Sequence, residues 1–212
     1  MFTSQELSIL KQLTTPRKVQ EFINKIPINF EEYGETCLSP REVLKQNRAH
    51  CLEGAMIAAA ALRLQGFPPL LLDLTAIPND DDHVIAVFQQ HGHWGAISKT
   101  NHAVLRYRDP IYKTLRELVL SYFHEYTDKY GRKTLRSYSH PVNLAKFDHK
   151  GWMTAEGDVW YIADHLLEVP HFSLLSRQQI ALLKKSDQIE IKAGEMVEWR
   201  RKNLRGVGQI KD

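Results

Sequence analysis

The segment CLEGAMIAAAALRLQG, residues 51–66, is the strongest local predictor of structure in this chain. Alanine and leucine are good helix formers, and Ile57 is the only β-branched residue of the segment. Gly66 ends the pattern, and Pro68 and Pro69 prevent its continuation. The sequence therefore predicts one helix over residues 51–66. Its many alanines give little side-chain bulk, so the helix can lie close against a sheet.

Three short apolar segments follow this helix and predict strands. Residues 70–74, LLLDL, are typical of a buried strand. Residues 83–88, HVIAVF, and residues 93–98, HWGAIS, are separated by a short glycine-containing turn. Two such segments joined in this way predict an antiparallel hairpin. The acidic run at residues 80–82 is predicted to be a solvated turn before the second strand.

Helix-capping signals flank this central unit on both sides. A Ser, Thr or Asp followed by proline, or by Glu or Gln three positions later, marks the start of a helix. Such signals occur at Thr3, Thr15, Ser39, Asp109 and Ser176, and a further helix is predicted over Val159–Leu167. We predict an α+β fold in which the cysteine-bearing helix packs on a small antiparallel sheet, with extra N- and C-terminal helices. The predicted divisions are an N-terminal helical segment (1–38), a core with C-terminal additions (39–183) and a charged tail (184–212).

Bulk composition indicates an ordinary globular chain. The 212 residues are 43% hydrophobic and 25% charged. The net charge of +3 arises in residues 184–212, which contain eight basic and five acidic residues. This excess is too small to indicate nucleic-acid binding. The chain has neither signal-peptide features at its N-terminus nor an apolar run of membrane-spanning length, so we expect a cytoplasmic protein without a membrane partner.

The two cysteines, Cys37 and Cys51, have different sequence contexts. Cys51 begins the predicted helix, where unpaired backbone N–H groups and the positive end of the helix dipole lower the pKa of a thiol. The same N–H groups can bind an oxyanion. Cys37 precedes a helix cap and has no base nearby in the sequence. We therefore predict Cys51 as a nucleophile and Cys37 as an inert, small apolar residue.

A cysteine nucleophile needs a base, and the chain contains ten histidines. His83 is the favoured candidate because it opens a strand expected to lie beside the Cys51 helix. His50 is a weaker candidate, since neighbours on a helix do not face one another. His91 and His93 flank the hairpin turn, but two ligands without a third do not predict a metal site.

Residues 48–55 (RAHCLEGA) and 62–68 (LRLQGFP), together with the strand that opens at His83 and the Trp94-bearing strand, resemble the transglutaminase-like (papain-like) core. The resemblance covers about Ser39 to Thr100. It implies a Cys51 nucleophile, a His83 base and catalysis without a metal or other cofactor.

The residue that would orient His83 departs from the family pattern. The family usually has an Asp about fifteen positions after the histidine, and Ser98 occupies that place here. Serine can accept a hydrogen bond from the imidazole but brings no negative charge. Asp109 and Asn101 are the alternatives. Asp109 lies eleven positions beyond Ser98 and, preceding Pro110, is also typical of a helix N-cap.

These features predict a cysteine-dependent hydrolase or acyltransferase with Cys51, His83 and Ser98 at its site. Its substrate would be a peptide or a small amide or ester. The alternative is a catalytically inactive transglutaminase-like domain that serves as a binding or scaffold module. The replacement of the expected acid by Ser98 motivates this second hypothesis.

Overall fold

In a computed structural model, which describes residues 1–200, the chain is mixed α+β. The helices are α1 (Ser4–Gln12), α2 (Pro16–Lys25), α3 (Pro40–Gln46), α4 (Cys51–Leu64), α5 (Leu115–Phe123), a 3-10 helix (Leu144–Lys150), α6 (Trp160–Glu168), α7 (Arg177–Ala181) and α8 (Gln188–Gly194). The strands are β1 (Leu70–Thr75), β2 (His83–Gln90), β3 (His93–Ser98), β4 (Arg108–Tyr112), β5 (Ser137–Ser139), β6 (Val142–Asn143) and β7 (His171–Ser173). Residues 201–212 of the predicted charged tail lie outside the described part of the chain.

All seven strands of the described chain belong to one antiparallel sheet. Its order is β4-β3-β2-β1-β5-β7, and β6 pairs with β1 beside β5. The predicted hairpin is confirmed as β2 and β3, with Val87 opposite Ala96 and Ile85 opposite Ser98. This register places the first residue of β2 and the last residue of β3 at the same end of the hairpin.

Helix α4 packs against one face of this sheet. Its residues from Leu52 to Leu62 are all buried and share a core with Val84, Ala86 and Ile97. The alternate strand residues face the opposite side, where they form a second core with α5. The sheet is thus covered on both faces, and the N-terminal end of α4 lies at the sheet edge where β2 begins and β3 ends.

Close packing at this end of α4 requires Gly54. A Cβ atom added to Gly54 would lie 2.2 Å from Cβ of Lys99. Lys99 is itself 2% exposed, and its ammonium group donates to the backbone carbonyls of Ile23 and Ile26 at the end of α2. The start of α4 is therefore held against both the end of β3 and the end of α2.

The helix predicted to start at Asp109-Pro110 is wrong. Residues 108–112 form the edge strand β4, and the helix begins later, capped by Thr114, whose side chain accepts from the N–H of Glu117. Trp94 pairs with Tyr112 and Ala96 pairs with Arg108, so two positions along β3 correspond to four along β4, which marks a bulge. Proline is tolerated at an edge-strand bulge because no sheet partner needs its missing N–H.

No helix among residues 1–200 has both the length and the apolar character needed to cross a membrane.

Candidate active site

Cys51 lies at the first residue of α4 and faces a cleft of about 760 Å³. His83, at the start of β2, lines the same cleft. Strand and helix thus bring together the two residues that the sequence predicted as nucleophile and base. Loops 79–82, 99–105 and 125–132 form the remaining walls, together with Ile191, Gly194 and Glu195 from the C-terminal segment.

The Cys51 thiol is tuned toward its ionised form. Burial raises the pKa of Cys51, but hydrogen bonds from the His50 and His83 side chains and the positive charge of both rings outweigh this effect. The net result is a pKa lowered to about 5. A thiolate is the nucleophilic form of cysteine. The site therefore holds a sulfur that is charged at neutral pH and flanked by two imidazoles.

Ser98 is hydrogen-bonded to the His83 ring. The Nε2 atom of His83 lies 2.8 Å from Oγ of Ser98, and the Ser98 hydroxyl donates its own proton to the carbonyl of Leu105, 2.5 Å away. A hydroxyl has one proton, so Oγ of Ser98 is left to accept from Nε2–H of His83. This arrangement leaves Nδ1 of His83 for Cys51, as the nitrogen able to take or give a proton.

Gln20 is hydrogen-bonded to Ser98, and the sequence analysis did not predict this residue as part of the site. Its side-chain amide spans both backbone groups of Ser98: Nε2 donates to the carbonyl at 2.8 Å, and Oε1 accepts from the N–H at 2.9 Å. Gln20 is 5% exposed although it is polar. The only sequence signal was a glutamine beside Val19, on the apolar face of α2.

The two alternatives to Ser98 contact other groups. Asn101 makes two hydrogen bonds with the backbone of Trp199, at 3.0 Å and 2.8 Å, and so attaches the C-terminal segment beside the cleft. Asp109 is exposed on the edge strand β4. Of the three residues considered, Ser98 is the one hydrogen-bonded to the His83 ring.

The sequence predicted His50 as the weaker base candidate on the assumption that it is a helical neighbour of Cys51. His50 is not inside the helix but is its N-cap, with extended backbone angles of φ −89° and ψ −172°. The i to i+1 rule for helical neighbours therefore does not apply, and the ring of His50 reaches the Cys51 thiol. Burial lowers the pKa of His50, but the hydrogen bond to Cys51 and the charges of Cys51 and Glu53 raise it to about 9.

Cys37 differs from Cys51 in its exposure and in the direction of its pKa shift. It is completely buried in the core beneath α4, and its backbone N–H donates to Oδ1 of Asp158 at 2.8 Å. Burial, followed by the negative charges of Glu53 and Asp158, raises the pKa of its thiol to about 12.

The charged groups around the cleft are of both signs. Asp128 pairs with Arg132, and Glu125 pairs with Arg108. Within residues 1–200 no group of three or more His, Cys, Asp or Glu side chains is arranged to hold a metal ion. The groups around Cys51 itself are two imidazoles and the backbone N–H groups at the start of α4.

No protein-family model matches this chain, and no curated protein matches it either.

Proposed function

We propose that this protein is a cysteine-dependent acyl hydrolase or acyltransferase on a transglutaminase-like core. The observation that carries the proposal is the arrangement around Cys51. Its thiol lies at a helix N-terminus, contacts His83, and opens to a cleft, while Ser98 holds the far nitrogen of His83. Nucleophile, base and orienting residue in this order are what acyl transfer by cysteine requires.

The proposed reaction has two stages. The Cys51 thiolate attacks the carbonyl carbon of an amide or ester, and the carbonyl oxygen becomes an oxyanion that first-turn N–H groups of α4 stabilise. The C–N or C–O bond then breaks, the leaving group takes a proton from His83, and a thioester remains on Cys51. Water or an amine next attacks the thioester, His83 accepts the proton, and the thiolate leaves.

The cleft supports a peptide or a small amide or ester as substrate. Its volume of about 760 Å³ is in the range of ligand-binding clefts. Lining groups of both charge signs favour a polar substrate over a lipid.

A binding module without catalysis is the second candidate, and the neutral Ser98 favours it. A serine stabilises a charged imidazole less than a carboxylate does, so it supports turnover less well. The two candidates differ in whether a covalent acyl group ever forms on Cys51.

Intact-protein mass spectrometry after exposure to an activated ester, p-nitrophenyl acetate, tests the proposal. We expect one acetyl group on Cys51 of the wild type, released over time and released faster when an amine such as hydroxylamine is added. His83→Ala should acylate and deacylate far more slowly. A wild-type protein that gains no acetyl group on Cys51 would support the binding module instead.

A further inference from the structure

A buried carboxylate lies directly behind the Cys51 site. Glu53 is completely buried in the first turn of α4. Its oxygens accept from the Thr36 hydroxyl at 2.7 Å, from the backbone N–H groups of Leu38 and His50 at 2.9 Å each, and from the Asn29 amide at 3.1 Å. Four donors at these distances satisfy the carboxylate oxygens and fix their position.

His50 lies between this carboxylate and the nucleophile. Its Nε2 atom is 2.9 Å from the carbonyl of Thr36 and 3.3 Å from Oε1 of Glu53, with Glu31 at 3.9 Å. All three neighbours are acceptors, so Nε2 carries a proton. The Cys51 thiol also interacts with this ring, and because Nε2 faces these acceptors, Nδ1 is the nitrogen left for the sulfur. Acceptors at both nitrogens favour the doubly protonated, positively charged ring.

His50 and His83, which both interact with the Cys51 thiol, therefore have different surroundings. Behind His50 stands a buried carboxylate, whereas behind His83 stands the neutral hydroxyl of Ser98. The acid missing from the expected place beside His83 is present beside the other imidazole. Because Coulomb attraction grows as the distance falls, Glu53, at 3.3 Å from Nε2 of His50, directly stabilises a positive charge on that ring.

We propose that the two histidines divide the work of the site: His50 is the imidazolium partner that keeps Cys51 ionised, with Glu53 as its positioning residue, while His83 moves protons during turnover. The division rests on the proposed acyl-transfer function. The raised pKa of His50, about 9, agrees with this role, while both rings contribute to lowering the pKa of Cys51 to about 5. The thiolate–imidazolium pair thus persists between these two pH values.

Other titratable groups face this pair from the surrounding elements. Glu31 lies 3.9 Å from His50. Tyr126, from the segment after α5, lies close enough to Cys51 that the thiolate contributes to raising the pKa of Tyr126. The ammonium of Lys99 is held by backbone carbonyls of α2. His50 is the group that lies 3.3 Å from Glu53 and also interacts with the Cys51 thiol.

The test is the pH dependence of Cys51 alkylation by iodoacetamide, followed by mass spectrometry in wild type, His50→Asn and His83→Ala. Asparagine is chosen because it is a good N-cap and so preserves the start of α4. We expect half-maximal reaction near pH 5 in the wild type. His50→Asn should move it by at least two pH units toward the free-thiol value of about 8.5, lowering the rate at pH 6 at least ~10-fold.

His83→Ala should behave differently. The pH of half-maximal Cys51 alkylation, called the half-point below, should stay nearer to the wild-type value than to that of a free thiol. Turnover of p-nitrophenyl acetate should nevertheless be lost. The division of roles is overturned if His50→Asn keeps the wild-type half-point, or if His83→Ala alone restores a free-thiol one. If wild-type Cys51 itself titrates like a free thiol, the proposed function fails instead, so the two failures are distinct.

Glu53→Gln tests the positioning role without changing side-chain size. It should shift the Cys51 half-point in the same direction as His50→Asn, and the double variant should shift it no further than His50→Asn alone. Additive shifts would contradict an effect through His50. Cys37 reports folding in each variant, because it is shielded until the chain unfolds.

Side-chain NMR of the wild type checks the same claim without any substitution. The ¹⁵N shifts of His50 should show both nitrogens protonated at pH 7.5. A neutral His50 at that pH would contradict the proposal.

Discussion

The two cysteines lie fourteen positions apart in the sequence and have opposite chemistry. Cys37 is sealed in the core with a pKa raised to about 12, whereas Cys51 opens to the cleft with a pKa lowered to about 5. Both are influenced by the same buried carboxylate, Glu53. It raises the pKa of Cys37 directly, and it raises the pKa of His50, which in turn stabilises the Cys51 thiolate. The charge of Glu53 thus raises the pKa of Cys37, and through the His50 imidazole it favours the ionised form of Cys51.

The largest expected effect comes from removing each thiol in turn. Cys51→Ala should lower p-nitrophenyl acetate turnover by roughly 10³-fold or more, since no nucleophile remains. Cys37→Ala should leave turnover unchanged and cost about 1 kcal/mol of stability through lost packing. Steady-state rates and thermal melts of both variants measure this. Equal losses of turnover would contradict the contrast between the two residues.

The next effect separates one histidine from another on the same hairpin. His83→Ala should reduce turnover by roughly 10²–10⁴-fold because the proton shuttle is gone. His93→Ala is the matched control, since His93 lies at the opposite end of β3 from Ser98 and its ring bonds to the carbonyl of His91. Its rate should equal that of the wild type. A comparable loss in both variants would show a structural effect rather than a catalytic one.

A smaller effect tests how tightly the Cys51 end of α4 is held. Gly54→Ala should destabilise the protein by about 1–3 kcal/mol, since the new methyl group would overlap Lys99. Gly157→Ala, where nothing lies within 4 Å of an added Cβ, should change stability by less than about 0.5 kcal/mol. Denaturant unfolding compares the two. A stable Gly54→Ala protein would mean that this end of the helix is not closely packed.

The smallest expected effect concerns Asn101. Asn101→Ala removes two hydrogen bonds to Trp199 and should speed hydrogen exchange in residues 196–199, at a cost of about 1 kcal/mol for each bond. Ester turnover should stay within about twofold of the wild type. A loss as large as that of His83→Ala would identify Asn101, and not Ser98, as the residue that orients His83.

The sequence was sufficient where structure is local. Helix α4 follows from helix propensity, and the β2–β3 hairpin follows from its two apolar segments. The family resemblance indicated Ser98, and the register of the hairpin places it close to His83. The mixed α+β class followed from these elements. Each depends on residues within about twenty positions of one another.

What the sequence did not predict depends on contacts between distant residues or on an unusual backbone. Strands β5 and β7 have three residues each, too few for a periodic pattern, and they pair across more than thirty positions. Gln20 reaches Ser98 across 78 positions. The contact of His50 with Cys51 depends on an N-cap conformation, which adjacency in the sequence does not reveal.

The most direct test of Cys51 as an activated nucleophile is its alkylation rate in the native wild-type protein, measured beside that of Cys37 from pH 4 to 9. A lowered pKa means that the thiolate persists as the pH falls and is lost only near pH 5, so the Cys51 rate should reach its plateau by about pH 6. At pH 7 it should exceed the Cys37 rate at least ~30-fold from thiolate fraction and nucleophilicity alone, before the burial of Cys37 slows it further. Equal rates, or a Cys51 half-point near the free-thiol value of about 8.5, would contradict the proposed function.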